Sequence, residues 1–150
     1  MVYTMEIPNE YGWVVLGAGV GPFICGVMLS GSVMSAREKY NVPYPNLYAV
    51  PGYHKDCDAF NRIQRGHQNF LENLGTYVTL TLLGGLKHPL ACAIGSVLYW
   101  IGSVLYQKGY ADTSVDAAKA RHMKGGPVKY IGLLTSLYST CALAYGMITA

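Results

Sequence analysis

The sequence predicts an all-α integral membrane protein, a single domain over residues 1–150 built as a bundle of four transmembrane helices. Three observations carry that prediction. The chain is 51% hydrophobic and only 13% charged, against roughly 25% charged residues in an ordinary soluble domain. The apolar residues are gathered into blocks, Tyr11–Ala36, Leu74–Leu86, Pro89–Tyr106 and Val128–Ala150, with nearly all charge between them, whereas a soluble bundle would alternate its faces. And ten of eleven Lys and Arg lie within Arg37–Arg65 or Lys108–Lys129, the flanking asymmetry that orients membrane spans.

The elements follow in order. Helix one, about 11–36, carries Gly17, Gly19, Gly21, Gly26 and Gly31 with Ser30, Ser32 and Ser35, small residues that let helices approach closely in lipid. Pro22 is tolerated there and is expected to bend the helix. The acidic start, Glu6 and Glu10, lacks the positive region of a cleaved signal peptide, so the first helix is expected to remain as an anchor. Residues 41–58 hold Pro43, Pro45, Pro51 and Gly52 and read as an irregular surface loop with its tyrosines at headgroup level.

Helix two, about 59–86, has no proline. Its apolar part is too short to cross a core about 30 Å thick, which takes about 20 residues, whereas the first, third and fourth blocks meet that length alone. It spans only if the polar run Arg62–Asn73 belongs to it. His88-Pro89 turns the chain into helix three, about 89–110, and Gly125-Gly126-Pro127 opens helix four, about 127–149. By the positive-inside rule the two long loops face the cytoplasm, with the N-terminus, the Lys87 turn and the C-terminus opposite.

Nucleic-acid binding has no support, since the basic residues flank spans and no binding motif occurs. Cys25, Cys57, Cys92 and Cys141 are widely spaced, arguing against disulfides and a metal site. They read as structural thiols, with Cys57 alone placed to be exposed.

The chemistry concentrates on helix two. Arg62, Arg65, Asn69 and Glu72 are spaced 3, 4 and 3, so they form one stripe, with Gln68 beside it and His67 off it. Ionisable groups at membrane depth face a bundle interior, a partner or a water-filled cavity. One reading is a set of ion pairs, Arg65 with Glu72 or Arg62 with the acidic loop, tying helices together. The other is a site for a small zwitterion, in which guanidinium forks take carboxylates, Glu72 takes an ammonium and Asn69 fixes a peptide group. Glutathione fits that inventory, as would other small peptides. On helix three Tyr99, Ser103, Tyr106 and Tyr110 share a face. Tyr99 reads as an interfacial belt residue, whereas Tyr106 and Tyr110 stand level with Arg65 and could clamp the same ligand.

Three segments resemble the MAPEG family, the membrane-associated proteins of eicosanoid and glutathione metabolism, and most closely its microsomal glutathione S-transferase type 3 branch. They are Ser35-Ala-Arg-Glu-Lys-Tyr-Asn-Val-Pro-Tyr-Pro45, Phe60-Asn-Arg-Ile-Gln-Arg-Gly-His-Gln-Asn-Phe-Leu-Glu72 and Gly102-Ser-Val-Leu-Tyr-Gln-Lys-Gly-Tyr110. The resemblance implies a homotrimer in the endoplasmic reticulum membrane, with glutathione as cosubstrate bound between subunits and open to the cytoplasm. It implies glutathione transferase or glutathione-dependent peroxidase activity on lipophilic electrophiles or lipid hydroperoxides, a leukotriene-A4-like epoxide among them. The alternative is a non-catalytic, lipid-presenting scaffold of the same fold. Carried over by position, the glutathione contacts are Arg37, Arg65, Asn69, Glu72, Tyr106 and Tyr110, with Arg62 and His67 beside them. Where family members often have a second basic residue after the first helix and an Arg ahead of the paired tyrosines, this chain has Glu38 and Ser103. Lys39 and Lys108 are the residues available to compensate. The family's thiol-activating arginine falls at Ala117; an insertion of about one turn aligns Arg121 with it, making Arg121 the catalytic candidate. A nearby guanidinium favours the thiolate over a thiol whose pKa is about 8.5.

Overall fold

The computed structural model describes Thr4 and residues 6–150, and contains only helices, turns and loops among them. Helix α1 covers Tyr11–Tyr40, α2 Cys57–Lys87, α3 Pro89–Tyr110, the one-turn α4 Ala117–Ala120, and α5 Val128–Thr149. Three of these, α1, α3 and α5, are long and apolar enough to cross a membrane, the same three blocks whose length suffices in the sequence. Their outer faces are strongly apolar: Phe23, Ile94, Tyr138 and Ile148 are each more than 60% exposed. Water would not tolerate so much contiguous apolar surface, but lipid or a neighbouring subunit would.

Before Pro22, where the sequence predicts a bend, the helix carries a π-helical turn at Leu16–Val20. There the Gly21 N–H bonds the Leu16 carbonyl, five residues back. The carbonyl of Gly17 would next require the N–H of residue 22, which proline lacks. That orphan acceptor takes the Tyr77 hydroxyl of α2 at 2.8 Å. Trp100 of α3 donates its indole N–H to the same hydroxyl at 3.2 Å, so one proline-imposed defect knits three helices together.

Tyr99 corrects the sequence expectation. It is 1% exposed and stacks on Tyr77 with ring centroids 3.8 Å apart, so it is a core residue and not part of an interfacial belt. Its place on the face shared with Ser103 and Tyr106 points inward throughout, since both of those are buried too. The thiols also divide differently: Cys25 and Cys92 are buried and Cys57 is half-buried, but Cys141 is exposed on the outer face of α5.

The end of α1 is set by Asn41, whose φ of 53° is the left-handed conformation that closes a helix, with the Val42 N–H returning to the Arg37 carbonyl at 3.0 Å. Val42 then packs with Ala36, Ala49 and Phe60 in a small core of its own. That core anchors the loop over the start of α2. Gln107 ties the bundle one layer deeper: its amide donates to the carbonyls of Leu29 and Ile63 at 3.3 and 3.2 Å, and its carbonyl accepts from Ser32 at 2.8 Å.

Candidate functional site

The stripe on α2 lies near the end of the bundle where both long connections gather. Arg65 and Glu72, two turns apart on one helix, form an ion pair of 2.5 Å between side chains 42% and 53% exposed. Among the described residues this pair connects α2 to no other element. An exposed pair within one helix contributes little to stability, so it is not the interhelical tie that the sequence allowed. Asn69 lies between them on the stripe and accepts a hydrogen bond from the Lys129 ammonium of α5. Gln68 accepts one from the Tyr48 hydroxyl, on the loop after α1.

Helix α3 brings its paired tyrosines to the same Lys129, whose ammonium lies over the Tyr106 ring. The Tyr106 and Tyr110 rings pack at 5.9 Å with 35° between their planes, Tyr106 buried and Tyr110 half-buried. Arg121 follows α4, exposed, with its backbone against the α5 entrance: a methyl on Gly126 would lie 3.0 Å from the Arg121 carbonyl and 2.9 Å from the Tyr106 Cα. Asn69 and Tyr106 thus meet at the Lys129 ammonium, and Tyr106 and the Arg121 carbonyl both lie against Gly126.

The remaining expected contacts are placed otherwise. Arg37 donates to the carbonyls of Val42 and Asn46 at 3.2 and 2.8 Å, and its guanidinium lies 4.4 Å over the Tyr44 ring. It thereby shapes the loop that follows α1. Arg62 lies 2.8 Å from the Asp58 carboxylate and donates to the carbonyls of Asp112 and Val115 at 2.8 and 2.7 Å. For Arg62 the tie reading describes what the side chain does: it pins α2 to the connection after α3. His67 is half-buried, away from the stripe.

That connection is braced from its own side. The Asp112 carboxylate accepts from Ser114 at 2.6 Å and pairs with Lys124 at 2.9 Å. Ser114 first and Lys124 second hold its carboxyl well below the usual carboxylate range. Asp116 caps α4 through the Ala118 N–H at 3.0 Å.

Lys129 is the residue that sequence reasoning passed over, having counted it only among the loop cations. It is 3% exposed, on the first turn of α5, with its ammonium 3.8 Å from the Tyr106 ring centroid and 5.1 Å from that of Tyr130. Its backbone packs on Gly102, where a methyl would approach the Lys129 Cα to 2.8 Å. The one available signal was a single Lys leading an otherwise uncharged apolar block.

Away from the polar site, α1 and α3 border an apolar groove of about 510 Å³ lined by Ile24, Met28, Trp100 and Val104 among others. In a comparison with protein-family models, residues 15–145 match that of the MAPEG family.

Proposed function

The chain belongs to the MAPEG family, and on that premise we propose that it is a multi-pass membrane glutathione transferase, with glutathione-dependent peroxidase activity as the companion reaction. The family includes both activities and some non-catalytic members. The observation that carries the catalytic reading is the exposed Arg65–Glu72 pair with Asn69 between its partners, Asn69 being joined through Lys129 to Tyr106, whose ring packs with that of Tyr110. A zwitterion can split that pair, its carboxylate taking the guanidinium fork and its ammonium the carboxylate. Asn69 keeps its amide N–H free for a peptide carbonyl while its oxygen is held by Lys129.

In this reading Arg65, Asn69, Glu72, Tyr106 and Tyr110 hold glutathione, and Arg121 stands at the exposed rim. Arg37 and Arg62 act on the loops that frame the site, since their donors are already directed at backbone carbonyls. The family resemblance adds a homotrimer with the site shared between neighbours, in the endoplasmic reticulum membrane and facing the cytoplasm. The gathering of ten of the eleven basic residues in the segments 37–65 and 108–129 supports that orientation. For α2 to be the fourth span, its stripe must face such a shared, water-filled opening.

The cosubstrate itself is the nucleophile. Its thiol loses a proton to water and the thiolate forms a C–S bond to an electrophilic carbon; either a leaving group departs with the electrons of its broken bond, or the epoxide C–O bond opens and its oxygen, still attached to the product, takes up a proton to become a hydroxyl. With a hydroperoxide, sulfur attacks the outer oxygen, the O–O bond breaks and an alcohol departs. A second glutathione then converts the sulfenic product to the disulfide and water. The apolar groove between α1 and α3 suits a lipophilic partner substrate.

A second reading, a lipid-presenting scaffold without catalysis, draws on Ser103, whose hydroxyl is turned to the Tyr99 carbonyl at 2.7 Å, and on Ala117, both standing where the resemblance expects arginine. Purified protein assayed with glutathione against a model electrophile and a lipid hydroperoxide separates the two. Turnover above the protein-free rate supports the enzyme. Lipid binding with no turnover of either substrate supports the scaffold.

A further inference from the structure

Lys129 is a buried cation with no ion pair among the described residues. Burying an ammonium without a carboxylate is costly unless something anionic completes its surroundings. Its present partners are neutral: the Asn69 side-chain oxygen and the faces of Tyr106 and Tyr130. Two of these three, Asn69 and Tyr106, are residues the proposed function already assigns to glutathione. An Asn oxygen and two ring faces orient an ammonium without neutralising it. The α2 stripe that carries Asn69 holds Arg65, another cation, and Glu72, which Arg65 already holds. Neither cancels the Lys129 charge.

Position and shape then select the anion. Arg65 offers a planar fork suited to a carboxylate, whereas an ammonium is a compact point charge suited to a single atom. Lys129 reaches the site from the α5 side at the level of Asn69, one turn further into the bundle than Arg65 on α2. We propose that Lys129 binds the sulfur of glutathione and holds it as the thiolate, so that the activating cation comes from α5 and not from Arg121. The thiol proton leaves to water, and the ammonium supplies the countercharge in surroundings where water competes little. This rests on the glutathione reading.

The test uses the full-length oligomer in detergent, with the ultraviolet absorbance of the thiolate followed against pH and with S-methylglutathione as a ligand whose sulfur cannot ionise. Wild-type protein must first bind both; if it binds neither, the glutathione reading falls, and this inference with it. Given binding, Lys129→Met should leave S-methylglutathione affinity within about threefold of wild type and shift ionisation of the bound thiol upward by about one unit or more. Turnover near neutrality should fall about tenfold and recover as pH is raised, and Lys129→Arg should restore it. Lys129→Gln reads the same titration should Met disturb the oligomer. Arg121→Ala should leave the titration unmoved. An unshifted titration in the Lys129 variants, or equal loss of both ligands, would overturn the assignment.

Discussion

Replacing Gly66 by Ala tests how tightly the site is built into the helix packing. Gly66 adjoins Arg65 on α2 and faces Gln107, the neighbour of Tyr106, on α3. A methyl there would lie 2.7 Å from the Gln107 Cγ, 2.9 Å from its Cα and 3.0 Å from its Cβ. The Cα is backbone and cannot swing away, so the two helices must separate by several tenths of an ångström. The Gln107 amide bonds to Leu29 and Ile63, at 3.3 and 3.2 Å, have no slack to follow. Overpacking of this kind costs about 1–3 kcal/mol, and losing a hydrogen bond adds about 0.5–1.5 kcal/mol. Against that stands a gain of about 1 kcal/mol for Ala over Gly within a helix. The net is destabilisation of about 2 kcal/mol, or about 4–8 °C in Tm for a chain of this size. Gly75 is the control, since nothing lies within 4 Å of a methyl at that position, and Gly75→Ala should be neutral or slightly stabilising. Thermal unfolding of both variants in one detergent decides the matter. A Gly66→Ala protein as stable as wild type would refute the packing argument, and equal loss in both would show that Gly75 faces a neighbouring subunit.

Other outcomes follow from the same structure. Tyr77→Phe strips the Gly17 carbonyl of its donor and the Trp100 indole of its acceptor, and should cost about 1–3 kcal/mol by thermal unfolding; an unchanged Tm would mean the π-turn carbonyl finds another partner. Asp112 has its carboxyl held below the ordinary value of about 3.9. Its bracing of the connection between α3 and α5 is therefore complete above that value and is lost as pH falls through the lowered one. Hydrogen exchange, corrected for intrinsic rate, should show residues 112–124 loosening in acid, and Asp112→Asn loosened already at neutral pH. A tag at the C-terminus should be protected in sealed microsomes, whereas one inserted near Pro51 should be cleaved by added protease; the reverse pattern would remove the cytoplasmic site.

How much of this was legible in the sequence depends on whether the deciding physics is local. The spans α1, α3 and α5 were, because length and hydropathy need no knowledge of neighbours. The stripe on α2 was legible as a stripe, since helical spacing alone puts Arg65, Asn69 and Glu72 on one face. What each cation does was not. Arg37 and Arg62 look equivalent to Arg65 in the sequence, but carbonyls at the ends of loops engage the first two, and loop paths are set by tertiary packing such as the Val42 and Phe60 core. Tyr99 was misplaced because interfacial and core tyrosines share the same spacing, and only its stacking on Tyr77 separates them. Lys129 was invisible for a similar reason: its burial arises from the close approach of α5 to Gly102.

Glutathione binding to the purified oligomer, measured for wild type and for Arg65→Ala beside the thermal stability of each, tests the central claim most directly. Among the described residues Arg65 pairs only within its own helix, so its removal should leave Tm within a few degrees. Removal of a charge-assisted ligand contact typically costs about 2–5 kcal/mol. Partial exposure places this one at the lower end, and affinity should fall about thirtyfold. Undiminished glutathione affinity in Arg65→Ala, or no measurable binding by the wild type, would contradict the account.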